Sequence, residues 1–184
     1  MRTLLFASLL PWVSCSVALS EDVESVPEHV IQNTKYLTGE WTAEVELAGE
    51  KRQVRMTVEP MPGNVGFVIR SRGPGGPGKE DIELTGILGW DASSGRYVET
   101  SFGTNGDYFN FRYKLLDATL PPAAQKFEAE GSGVYMGKPM TEKLFVERQG
   151  QDSFIWKATD IKVGGQAIPD EVYHFTRSKD VAEM

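Results

Sequence analysis

Apolar and polar residues alternate along most of this chain. Trp41, Ala43, Val45 and Leu47 fall on one side of an extended segment, with Thr42, Glu44 and Glu46 on the other. A period of two predicts a strand with one buried and one wet face. After the turn-forming Ala48-Gly49-Glu50-Lys51, the pattern returns at Val54, Met56 and Val58, which makes a second strand antiparallel to the first. Further strands are expected over 65–72, 82–90, 96–102 and 108–116, then over 125–130, 133–136, 139–148, 153–163 and 166–177. Turn residues punctuate them, among them Pro60-Met61-Pro62-Gly63-Asn64, Asn105-Gly106 and Gly164-Gly165.

The lead-in to the first strand has a different period. Val23, Val26, Val30 and Ile31 lie three to four apart, with Ser25 as candidate N-cap and Pro27 and Glu28 in the first turn. This predicts a short helix from about Pro27 to Thr34. Ten or eleven consecutive strands with short links then predict an all-β domain, a single antiparallel barrel of about ten strands that escapes exposed edges by closing on itself. A two-sheet sandwich is the alternative. A barrel of this size fills its interior with side chains or holds one small ligand.

Composition agrees with one domain of ordinary size: 184 residues, 40% apolar, with 19 glycines and 10 prolines falling mostly between apolar runs. Residues 1–20 read as a secretory signal, with Arg2 as the positive region, Leu4 to Val13 as the apolar core and Ala18-Leu19-Ser20 as the cleavage site. The domain is then 21–179, with a frayed tail at 180–184, and no later stretch is apolar enough to span a bilayer. The location expected is periplasmic or secreted. Cys15, the single cysteine, lies within the leader, where Trp12-Val13-Ser14-Cys15 is a poor lipoprotein box. A chain cut after Ser20 therefore holds no thiol chemistry and no disulfide. Loss of Arg2 takes the formal net charge from −7 to −8, which argues against nucleic acid and anionic lipid as partners.

No catalytic constellation stands out. There is no G-x-S-x-G elbow, and two histidines exclude a His-rich metal site. Gly73 to Gly78 matches G-x-G-x-x-G, but prolines interrupt it and a strand follows, so it reads as a hairpin loop. Several polar or amphipathic residues are candidates for the barrel interior: Arg70, Tyr97, Glu99, Tyr108 and Arg112. The expected ligand-binding set is Arg70, Tyr97, Phe109, Phe111 and Tyr113, a few polar groups in an apolar lining. His174 in the last strand raises the question of haem. It shares a face with Val172 and Thr176, opposite Tyr173, Phe175 and Arg177, so an inward aromatic face turns it outward.

At Gly39-Glu40-Trp41 the chain resembles lipocalins and the wider calycin barrels, where G-x-W opens the first strand and a late arginine packs on the tryptophan. Arg177 is the matching position, so Leu37, Gly39, Trp41 and Arg177 are expected to form the closed base. A closer resemblance is to the uncharacterised bacterial family called domain of unknown function 1579. It rests on His29, Leu37-Thr38-Gly39-Glu40-Trp41, Gly89-Trp90-Asp91 with Tyr97-Val98, and Tyr173 to Arg177, over about Pro27 to Lys179. The resemblance implies a calycin-like fold with no known catalysis and no assigned ligand. Nitrobindins, more distant relatives that bind haem, differ in the register of the last-strand histidine. The functional expectation is a non-enzymatic exported barrel for a small apolar or amphipathic molecule. The alternatives are a haem-binding nitrobindin-like barrel, a small hydrolase or isomerase using Tyr97, Glu99 and Arg112 at the barrel mouth, and an envelope barrel without a ligand.

Overall fold

The computed structural model describes residues 26–178, apart from 48, 76–78 and 118. The leader with Cys15, the proposed cap Ser25, the side chain of Leu47, the loop centre 76–78 and the tail lie outside the described residues. Helix α1 spans Glu28–Thr34, with Pro27 at its N-cap, and runs into a 3-10 turn at Lys35–Leu37. The strands are β1 (Gly39–Leu47), β2 (Glu50–Pro60), β3 (Gly66–Pro74), β4 (Asp81–Asp91), β5 (Arg96–Gly103) and β6 (Tyr108–Leu115). They continue with β7 (Lys126–Tyr135), β8 (Lys138–Arg148), β9 (Ser153–Val163), β10 (Gln166–Ala167) and β11 (Glu171–Arg177).

Every neighbouring pair is antiparallel. Strands β1 to β9 follow one another around the wall, β9 pairs with β11, and β11 pairs with β1 through Trp41 opposite Arg177. The ring is closed, a ten-stranded up-and-down barrel with β10 as an appendage, and the sandwich alternative falls away. Closure matters because it leaves no long strand edge open to pairing with another chain.

Two expected boundaries differ. The short strands predicted at 125–130 and 133–136 are one strand, β7, because Gly131 and Gly133 lie inside it. A Cβ on Gly131 would sit 2.5 Å from the Phe111 ring, and one on Gly133 would strike the Tyr108 carbonyl. These glycines make room for close neighbours and do not end a strand. Conversely, the run 166–177 is broken at Ile168-Pro169-Asp170, where Pro169 has no N–H to give the ladder.

The period-two pattern sorts the wall into two faces. Inward residues form two apolar clusters, one around Trp41, Val58, Phe154 and Phe175 and one around Phe111, Leu144 and Ile161. Outward residues include Glu44, Arg55, Arg70, Arg112, Lys143 and Lys157. Charges distributed in this way are the reverse of the apolar band of a lipid-facing barrel. Among the described residues no helix is long and apolar enough to cross a membrane.

Candidate functional site

The two ends of the barrel are built differently. At the base, α1 and the 3-10 turn close the barrel. Trp41 is fully buried and donates from Nε1 to the Leu37 carbonyl at 2.7 Å. The Arg177 guanidinium lies 4.3 Å from the Trp41 ring centroid. It donates to the carbonyls of Thr38 (2.7 Å) and Tyr36 (2.8 Å), and pairs with Asp152 at 2.9 Å. Gly39 has φ +123°, and a Cβ there would meet Arg177 Nη1 at 2.7 Å, so both backbone and packing require glycine. Arg148 stacks over Tyr36 at 4.1 Å and donates to the carbonyls of Gly150 and Pro122.

Above this base lies a cavity of about 690 Å³. Its wall is apolar for most of its extent, with Met56, Leu88, Phe109, Phe111 and Trp156 among the lining residues. The cavity reaches the surface at Glu44, Glu46, Asp170 and Glu171, which are exposed. A volume of this order suits one small organic molecule.

Polar groups enter the cavity at a few defined places. Tyr113 donates its hydroxyl to Glu99 Oε2 at 2.7 Å. Burial raises the Glu99 carboxyl above its usual range, the Tyr113 bond pulling the other way. Burial, then the Glu99 charge, pushes the Tyr113 phenol well up. On β8, Glu142 is only 7% exposed and has no hydrogen bond or ion pair among the described residues. Burial, with the charges of Glu171 and Glu99, pushes its carboxyl up to about 7. Tyr173 donates to Glu171 Oε2 at 2.9 Å near the rim.

Local geometry aims Glu142 inward. Glu99, Phe111, Gly131 and Glu142 are successive register partners across β5 to β8. Glu142 Cγ lies 3.0 Å from where a Gly131 Cβ would be, so the glycine leaves room for it. Opposite, β9 is bulged, since Thr141 pairs with Lys162 while Lys143 pairs with Thr159. The extra residue, with Asp160 at φ +52°, turns Asp160 outward to Lys143 (3.1 Å) and brings Ile161 in. Bulges of this kind re-aim side chains at the rims of barrels and beside sites.

The residues named from sequence separate cleanly. Phe109, Phe111, Tyr113 and Tyr97 line the cavity. Tyr97 also serves the base: its hydroxyl donates to the Val30 carbonyl and pairs with Thr34 Oγ1, each at 2.9 Å. Burial pushes its phenol up to about 12. Arg70 does not face the interior. It is exposed on the outer wall and pairs with Glu59 at 2.8 Å. Tyr108 and Arg112 are also outward, which removes Arg112 from any interior cluster with Tyr97 and Glu99. His174 is exposed on the outer face, where strand parity puts it. Leu37, Gly39, Trp41 and Arg177 meet at the base as described. Among the described residues no group of three His, Cys, Asp or Glu side chains is placed to hold a metal ion.

Glu142 escapes a reading from sequence that treats acidic residues as surface. One signal marks it: the inward positions of β8 read Met140, Glu142, Leu144, Val146, and the carboxylate interrupts an otherwise apolar face.

Fold and cavity together define a closed ten-stranded β-barrel with a sealed base and an apolar chamber open at the other end. No protein-family model matches the chain, and no curated protein matches it.

Proposed function

We propose that the protein is an exported, non-enzymatic barrel that takes one small amphipathic molecule into its chamber. The cavity of about 690 Å³ carries this reading. An apolar wall supplies the affinity for a hydrocarbon or aromatic body, and the few inward polar groups orient it. The leader-like residues 1–20 support export. The residues shared with the domain of unknown function 1579 family support kinship with that group. The test is fluorescence titration with N-phenyl-1-naphthylamine, a neutral amphipathic dye. One-to-one binding, lost when Met140→Trp fills the chamber in a variant that keeps its circular dichroism, is the expected result. An intact wild-type chain that leaves the dye unbound overturns the reading.

A second reading, an isomerase or hydrolase, is favoured by Glu142 alone, because a carboxyl poised near neutrality suits general acid–base work. Turnover of a bound molecule that disappears in Glu142→Gln would favour it over simple binding.

A further inference from the structure

The chamber has a one-sided polar chemistry. Seven of its lining residues carry carboxylates, and no lysine, arginine or histidine is among them. Two cations pair with its rim carboxylates at the surface, Lys51 with Glu44 at 2.6 Å and Lys157 with Asp170 at 3.8 Å. Arg148 and Arg177 are spent on base carbonyls and on the rings of Tyr36 and Trp41. Lys143 points out of the barrel to Asp160.

Within this acidic chamber the carboxylates are not equivalent. Asp107 accepts from Asn105 Nδ2 and from the Met136 amide, each at 2.7 Å. Glu99 accepts from Tyr113, and Glu171 from Tyr173. Glu142 accepts from no group among the described residues, although it is nine-tenths buried and projects into the chamber opposite a strand bulge. A buried carboxylate without a donor is costly in its charged form, because it has given up water without gaining a partner. The wall supplies no partner, and the Glu142 oxygens are not among the fully enclosed atoms, so they open onto the chamber, where a bound molecule can reach them.

Resting on the binding function proposed above, we infer that the ligand is a cationic amphiphile, an apolar body ending in a protonated amine, and that the ammonium docks on Glu142 beside the Glu99–Tyr113 pair. The facing groups reinforce this polarity. They are Glu99 from β5, Tyr113 from β6, and Glu171 and Tyr173 from β11, and none brings a positive charge. Inside the chamber an anionic head would meet Glu99 and Glu142 and no lysine, arginine or histidine of the lining. A neutral alcohol head would give Glu142 one ordinary hydrogen bond and no opposite charge. A metal ion fits less well, because no three ligating side chains converge among the described residues. Tyr36 Oη, buried and without a partner at the chamber floor, offers a polar contact deeper in.

The experiment uses the full chain with N-phenyl-1-naphthylamine bound and three competitors of one chain length: decylamine, decanol and decanoate. Near neutral pH, decylamine should displace the dye at a concentration about tenfold or more below decanol, and decanoate should be the weakest. Glu142→Gln should bring decylamine to the level of decanol, the amine-to-alcohol ratio being read within each protein so that any change in dye affinity cancels. An amine-to-alcohol ratio near one in the wild-type chain overturns the inference, and so does an unchanged ratio in a folded Glu142→Gln. If Glu142→Gln does not fold, the wild-type ratio decides alone. Failure of the dye itself to bind overturns the binding function and is thereby told apart from failure of the amine preference.

Discussion

The base and the chamber use the same kinds of side chain to opposite ends. At the base, Arg177 and Arg148 are each held by two or more carbonyls and an aromatic face, and Trp41 finds an acceptor for its N–H. Most polar atoms there are answered from within the chain, the exceptions among the described residues being the buried Tyr36 Oη and Gln125 Oε1. Six residues back along β8 from Arg148, roughly 20 Å at about 3.3 Å per residue, the rule changes. Glu142 is as deeply placed as many core residues yet has nothing to pair with among the described residues. Polar groups satisfied by their own fold contribute stability and specify one structure. A polar group left unanswered lowers stability, and Glu142 differs from the base in facing the open chamber, where an arriving molecule can complete it. The barrel therefore separates its two tasks by height.

The largest test of that division is Trp41→Ala. Removing a fully buried indole should lower unfolding free energy by about 3–5 kcal/mol in urea titrations. If the base and chamber are separate, the surviving folded fraction keeps the same order of preference among the three competitors. A changed order would mean that the base shapes the chamber directly.

The next effect is smaller and runs the other way. Glu142 holds a proton up to about pH 7 in the folded chain, against an ordinary value of 4.5. Between those values the folded state binds more protons than the unfolded one, so stability falls as pH rises. It is complete below about 4.5 and should have dropped by about 2–4 kcal/mol at pH 7 and above. Glu99, also raised by burial, acts with the same sign. Urea midpoints across this range should show the fall in the wild-type chain and a flatter profile in Glu142→Gln. A profile that rises with pH in this window would contradict the picture of an unpaired, buried acid.

The smallest effect is expected at Arg70. Its ion pair with Glu59 is half exposed at both ends, and Arg70→Ala should move stability by no more than about 0.5 kcal/mol. Dye affinity should stay the same. A loss of dye binding would place the outer wall in the function and dissolve the contrast between inside and outside.

Much of the barrel is legible in the chain because β structure writes itself at period two. The strand count, the hairpin at Asn105-Gly106 and the outward His174 follow from alternation and turn chemistry, whereas the Trp41–Arg177 base is expected from the resemblance to calycin barrels. The same rule sends Arg70 out, since Phe67, Ile69 and Ser71 hold the inward positions of β3. It sends Tyr108 and Arg112 out too, opposite Phe109 and Phe111. A reading of these three by residue type, as polar groups suited to a cavity, overrides parity and misplaces them. Gly131 and Gly133 are harder. A glycine pair looks like a break until the Phe111 ring and the Tyr108 backbone lie against it, and those neighbours are far apart in sequence. The Glu142 site is harder still. Its meaning depends on a bulge in β9 and on what β5, β6 and β11 bring to face it among the described residues, neither of which any local window contains.

Closure of the ring has a consequence in time as well as in shape. Most strand pairings here join sequence neighbours and can form hairpin by hairpin. Arg177 instead bonds carbonyls 139 and 141 positions away, at the seam where β11 meets β1. Contacts of that separation carry the greatest loop-closure entropy and tend to form late. An interaction made after the folding barrier slows opening without speeding assembly. Arg177→Lys should therefore raise the unfolding rate in stopped-flow measurements and leave the refolding rate nearly unchanged. A slower refolding rate with unfolding untouched would place the seam early. On this view the last residue of β11 acts as a latch, setting how long the barrel stays shut once formed.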